Sequence, residues 1–300
     1  MRAIVNTSEG AGIAVVDDPR PGRNEALVAV RAFSLNRGEL ALLEARTEQW
    51  RPGQDVAGVV VEAAADGSGP VAGSRVVALV EQSGWAELAA VPTDRLAVLP
   101  DEVGVEQAAA LPLAGLTALR TLRLGGGDLL GRRVLVTGAS GAVGGTQVQL
   151  AIAAGADVTA VAATPHHQDL LRRGAAVVDD PATAGGRYHL VADWVGGASV
   201  AAALDKVAPH GTLVLGSGSA VKTPINIYDF FGHEGARIVG YLSYAHPEPP
   251  GPDLATLARL VAAGRLDPVL GLVTSWTRLH DAITALAQRR LTGKAVLTVG

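Results

Sequence analysis

The sequence predicts an α/β protein in two parts, a β-rich region followed by a doubly wound parallel sheet. Two patterns carry that expectation. The first hundred residues hold short Val/Ala/Leu runs parted by Gly, Pro and Asp, among them EALVAVRAFSL, DVAGVVVEA and GSRVVALV, a rhythm of mostly antiparallel strands joined by turns. From about Gly104 onward, strand-like apolar runs alternate with helical ones, which predicts a parallel sheet covered by helices on both faces. With 300 residues, 48% of them hydrophobic, the chain can fill one large core or two ordinary ones.

The elements of the second part follow in order. VEQAAALPLAGLTALRTLRL reads as helix interrupted by Pro112. RRVLVTG reads as a strand, AVGGTQVQLAIAAG as a helix, DVTAVAA as a strand, HHQDLLRRG as a helix, and AAVVDD and HLVADWV as strands. SVAAALDKVAP then forms a helix, and GTLVLGSG and ARIVGYL form strands. The HPEPPGP segment around Pro247 marks the place where the chain leaves the parallel sheet. Two helices, DLATLARLVAAGRL and LHDAITALAQRR, and a strand, KAVLTVG, complete the chain, with Asp253 the expected N-cap of the first helix and Gly264 its stop.

Composition narrows the function. A net charge of −4 with mixed signs offers no electrostatic footprint for nucleic acid or an anionic membrane, so a small-molecule partner is expected. The absence of cysteine removes disulfides, thiolate metal sites and any cysteine nucleophile. Of seven histidines only His166 and His167 are adjacent, and neighbouring helical positions do not share a metal readily. The first residues, MRAIVNTSEG, turn polar too soon for a secretory leader, and no apolar run approaches the length of a membrane helix, so a cytoplasmic location is expected.

The stretch VLVTGASGAVGG carries the chemistry. A strand, a glycine turn and a helix in that order let backbone approach a pyrophosphate, and the helix N-terminus offers it free N–H groups. Gly138, Ala139, Ser140, Gly141, Ala142, Val143 and Gly144 are the expected cofactor contacts there, in a G-x-x-G-x-x-G spacing. The next strand ends VAATPHHQDLLRR, with no carboxylate at Ala162, Ala163 or Thr164 to hold a ribose 2′-hydroxyl. Thr164, His167 and Arg173 are therefore read as donors toward a 2′-phosphate, favouring NADPH, against the simpler reading that the arginines solvate their helix. The nicotinamide half is expected beside Gly216, Ser217 and Gly218, small residues after a strand at the sheet's C-terminal edge. Short-chain reductases share a similar turn but use a tyrosine with lysine four residues on, and none of Tyr188, Tyr228, Tyr241 and Tyr244 has it.

With VTGASGAVG in mid-chain after a β-rich region, the sequence resembles the medium-chain dehydrogenase/reductase superfamily, in its zinc-independent quinone oxidoreductase branch, to which zeta-crystallin belongs. PGQDVAGVVVE, AAALPLAGLTAL, LVADWVGG and GKAVL extend the resemblance along almost the whole chain. It implies a GroES-like domain over residues 1–112, a Rossmann domain over 113–244, and a return to the first domain over 245–300. The zinc-binding members carry a Cys-His pair and a Gly-His-Glu segment where this chain has FSLNRGEL and PGQDVAG, so Asn36 and Gln54 stand in place of metal ligands and no metal is expected. The GHEG at Gly232 to Gly235 lies far from the zinc segment.

Without metal or nucleophile, the expected activity is hydride transfer from NADPH to a quinone or an α,β-unsaturated carbonyl, with a hydrogen-bond donor polarising the acceptor oxygen. Asn36 is the first candidate for that donor, with Gln54, Arg37, Tyr241 and Tyr244 behind it; Asn36 reads equally well as a turn residue. Thr117 resembles the family's threonine near the nicotinamide, or is ordinary helix packing. Trp50, Trp85, Phe33 and Tyr244 read as core or as lining of a substrate cleft. The alternatives are an enoyl-thioester reductase of a polyketide or lipid pathway and a non-catalytic NADPH sensor. A homodimer through the hydrophobic edge ARIVGYLSY is also expected.

Overall fold

The computed structural model describes residues 1–216 and 222–300, in two compact units, Met1–Leu116 with Pro247–Gly300, and Thr117–His246. The predicted calls at Ser217 and Gly218 lie outside the described residues.

The first unit opens with a hairpin, β1 (Arg2–Thr7) and β2 (Gly10–Val15). Then come β3 (Glu25–Leu35), α1 (Arg37–Ala45), β4 (Asp55–Glu62), β5 (Arg75–Leu79), β6 (Leu88–Pro92), β7 (Leu96–Val98) and α2 (Val105–Ala109). α3 (Pro112–Arg123) starts at the proline that the sequence marked as an interruption, where a missing N–H costs nothing in a first helical turn. After the second unit the chain adds α7 (Gly251–Ala262), β14 (Leu270–Ser275), α8 (Leu279–Ala287) and β15 (Lys294–Thr298).

Strands β14, β15, β3, β4, β5 and β7 form one sheet in that order, with β6 also paired to β3. As the composition predicted, the β3–β4, β4–β5, β5–β7 and β3–β6 pairings are antiparallel. Phe33, Trp85 and Trp276 are fully buried in the core of this unit, Phe33 stacked on Trp85 at 5.6 Å between centroids. Phe33 and Trp85 are therefore core residues. Four elements were not anticipated, β1, α1, β6 and β14, and the α7 N-cap is Pro250, with Asp253 inside the first turn. Gly264 does end α7, in the left-handed region at φ +65°.

The second unit holds β8 (Arg133–Val136), α4 (Ala142–Ala153), β9 (Asp157–Val161), α5 (His167–Arg172), β10 (Ala176–Val178), β11 (Tyr188–Asp193), α6 (Ala198–Leu204), β12 (Val207–Leu215) and β13 (Arg237–Gly240). The sheet order is β10-β9-β8-β11-β12-β13, and every pairing is parallel. In chain order within the sheet this is 3-2-1-4-5-6, the doubly wound arrangement that the strand–helix alternation predicted. The order reverses between β8 and β11. A ligand site is expected in the crevice beyond the C-terminal ends of those two strands.

Candidate cofactor and active site

The glycine turn sits at that reversal. Gly138 follows β8 with φ +60°, a conformation that costs an L side chain about 1–2 kcal/mol. A Cβ on Gly144 would meet the Gly138 carbonyl oxygen at 2.4 Å, so the first turn of α4 packs directly on the loop that precedes it. Ser140, Gly141, Ala142 and Val143 remain partly exposed, while the helix is buried from Gly144 to Ala151. Among the described residues no carbonyl accepts from the N–H groups of Ala142, Val143 and Gly144, although the Ala139 N–H is taken by Val161 at 3.1 Å. Three free amides at the end of a buried helix, with backbone rather than side chain facing outward, fit a pyrophosphate.

Around this turn the unit is braced by side chains that the sequence reading did not single out. The Asp193 carboxylate, buried at the end of β11, accepts from the Thr137 hydroxyl at 2.9 Å and from the N–H groups of Val195 and Gly196 at 3.2 and 2.6 Å. Trp194 donates its indole N–H to Gln147 Oε1 at 2.7 Å, and Gln147 Nε2 donates to the Thr121 hydroxyl at 3.0 Å. That hydroxyl donates in turn to the Thr117 carbonyl at 2.6 Å, so Thr117 is tied by its backbone to the glycine-turn helix. The Trp194 ring lies against Gly216, where a Cβ would fall 1.9 Å from Cζ3. An aspartate-tryptophan pair after a strand gave no separate signal, because LVADWVGG reads simply as strand and turn.

At the end of β9, Thr164 and His167 lie together, with a carboxylate between them. The Thr164 hydroxyl donates to Asp179 Oδ1 at 3.0 Å, and His167 Nε2 lies 3.1 Å from the same oxygen and 2.8 Å from the Ala162 carbonyl oxygen. Arg173 donates from Nε to Asp169 at 2.8 Å, and this bond holds the Asp169 carboxyl below its usual range.

In the first unit the structure brings Asn36 and Gln54 together through a third residue, Glu39. Glu39 Oε2 accepts the Asn36 backbone N–H at 2.8 Å and its Oε1 accepts the Gln54 N–H at 2.9 Å. The Asn36 amide is fully engaged: Nδ2 donates to Asp55 Oδ2 at 2.9 Å and to Glu39 Oε2 at 3.3 Å, and Oδ1 accepts from Lys294 Nζ at 2.6 Å. Lys294 also donates to Asp55 Oδ2 at 2.9 Å and to the Leu35 carbonyl at 3.0 Å, and Ser34 and the Leu113 N–H complete the aspartate's partners. Ser34, Asn36, Glu39, Asp55 and Lys294 are buried, and Asp55 and Lys294 form an ion pair inside the unit. Gln54 is partly exposed, and its side-chain amide makes no hydrogen bond among the described residues. Tyr241, in the other unit, follows β13, donates its N–H to the Leu215 carbonyl at 2.9 Å and packs its ring 6.2 Å from that of His246. Among the described residues no three of His, Cys, Asp and Glu converge as a metal site.

Comparison with known proteins agrees with the architecture. The family described as alcohol dehydrogenase GroES-like domain matches residues 22–101, and that described as zinc-binding dehydrogenase matches 155–297. A chloroplast envelope quinone oxidoreductase homolog of Arabidopsis thaliana is 41% identical over 53% of this chain and 55% of its own length, so the chain spans about half of that relative. Quinone oxidoreductase-like protein 2 of Bos taurus is 27% identical over 94% of this chain and 87% of its own. A phthioceranic/hydroxyphthioceranic acid synthase of Mycobacterium tuberculosis is 29% identical over 93% of this chain, which covers 14% of the synthase. The crystal structure of an alcohol dehydrogenase superfamily protein from Novosphingobium aromaticivorans is 26% identical and superposes over the full length of both chains with a TM-score of 0.91. Among the described residues no helix is long and apolar enough to cross a membrane. With a GroES-like first unit, a doubly wound second unit and a glycine turn at its point of reversal, the chain belongs to the medium-chain dehydrogenase/reductase superfamily, in its quinone oxidoreductase branch.

Proposed function

We propose that the protein is a zinc-independent reductase that passes hydride from NADPH to a quinone or an α,β-unsaturated carbonyl. The observation that carries the reading is the set of free amides at Ala142, Val143 and Gly144 behind a glycine turn placed at the reversal of a parallel sheet. A bound reduced nicotinamide supplies the hydride, and the protein binds, orients and polarises. Gly138 to Gly144 hold the pyrophosphate by backbone. Gly216 and Thr117 belong to the nicotinamide end, and Thr164, His167 and Arg173 to the ribose end. The absence of a carboxylate at the end of β9 favours NADPH.

Hydride addition to the β-carbon of an enone leaves negative charge on the carbonyl oxygen, which a donor must meet before a proton arrives at the α-carbon. Gln54 has an uncommitted side-chain amide for that purpose. Asn36 has both amide N–H directions engaged, so its part is to fix the loop from which Gln54 acts. Tyr241 is the remaining candidate. Zinc independence is supported by Asn36 and Gln54 standing where the zinc-binding members of the family have ligands. The edge of β13 is read as covered by a second copy of the chain, and a net charge of −4 with mixed signs leaves small molecules as the expected partners, in the cytoplasm.

The test is NADPH oxidation, with NADH in parallel and EDTA throughout, against simple quinones, enones, enoyl thioesters and an aldehyde. Turnover of quinones or enones is expected. Turnover of enoyl thioesters alone favours the second reading, a reductase acting on carrier-bound acyl chains, to which the similarity with the mycobacterial synthase points. Tight cofactor binding without turnover of any acceptor rejects both and leaves an NADPH sensor.

A further inference from the structure

Asp179 belongs to neither the glycine turn nor the helix expected to meet the adenosine ribose. It follows β10, and the parallel pairing of Val178 with Val161 brings it beside the end of β9. There it takes the Thr164 hydroxyl at 3.0 Å and sits 3.1 Å from His167 Nε2, the two donors nearest the expected 2′-position. The guanidinium groups that follow are turned toward a different carboxylate, Arg173 to Asp169 at 2.8 Å and Arg172 to the same residue at 3.3 Å. The ribose rim thus carries a negative charge supplied by the third strand, and its donors are already engaged by that charge.

On the reading of this unit as a dinucleotide site, we propose that Asp179 sets how far the protein can prefer NADPH over NADH. A 2′-phosphate reaching Thr164 and His167 must displace or face the Asp179 carboxylate, and like charges so close repel. A 2′-hydroxyl meets no such cost, since it can donate to that carboxylate. The side chain of Asp179 is mostly exposed, so the effect is electrostatic and local.

The experiment is to measure dissociation constants for NADH and NADPH with the wild-type chain, Asp179→Asn and Asp179→Ala, at low and high salt. Asparagine keeps an acceptor for Thr164 and removes the charge. NADPH should tighten by about tenfold in both variants at low salt while NADH changes by less than about threefold, and the difference should shrink at high salt. An equal shift for the two cofactors, or an unchanged NADPH constant, overturns the assignment. If the wild-type protein binds neither cofactor, the dinucleotide reading itself falls, and this inference with it; binding of both without a change in ratio rejects Asp179 alone.

Discussion

Glu39 shows how a single carboxyl can link the first unit to pH. It is fully buried, and burial, with the Asp55 charge close by, pushes its pKa up from the usual 4.5 to about 8, against the pull of Lys294 and two backbone N–H groups. A carboxyl that holds its proton more tightly folded than unfolded adds stability that is complete below 4.5 and is lost as pH rises through about 8. Urea unfolding from about pH 5 to about pH 9 should therefore show stability falling with pH. In Glu39→Gln, which cannot ionise, that slope should flatten, even though the amide loses one of the two N–H bonds and lowers stability at acid pH. An unchanged slope would place the titration elsewhere. None of this was visible from FSLNRGEL, where Asn36 drew attention and Glu39 did not. The charges that act on Glu39, those of Asp55 and Lys294, come from β4 and β15, and the Lys294 to Asp55 bond spans 239 positions of sequence.

At the scale of elements, the alternating second part was legible almost strand by strand, because parallel strands buried on both faces read as short apolar runs between helices. The glycine turn was legible as a gap in side chains between an apolar run and a helical one, and it lies between β8 and α4. Less was legible where meaning depends on pairing. α1 hides in RGELALLEA directly after a long strand, and β14 in LGLVTS, whose glycine weakens a strand pattern. Asp179 lies 15 residues from Thr164 and meets it only because β9 and β10 are neighbours. The edge element β13 carries its own prediction. It ends the sheet, and Ile227, Tyr228 and Phe231 before it and Leu242 and Tyr244 after it are exposed. A strand edge flanked by apolar side chains invites pairing. Analytical ultracentrifugation at micromolar concentration should give a dimer, and a monomer would mean that these side chains serve something else.

For the whole molecule, the division of labour is chemical. One unit presents backbone amides suited to a pyrophosphate, and the other holds a buried ion pair and amide network that fixes Asn36 and leaves Gln54 uncommitted. That account requires hydride to travel directly from the nicotinamide to carbon or ring of the acceptor, without a metal ion. The most direct measurement is a turnover with C4-deuterated reduced cofactor and an enone in the presence of EDTA, the product examined by mass spectrometry and NMR. The account predicts deuterium at the β-carbon and a solvent-derived hydrogen at the α-carbon. Product formed without deuterium, or activity abolished by EDTA and restored by zinc, would contradict it.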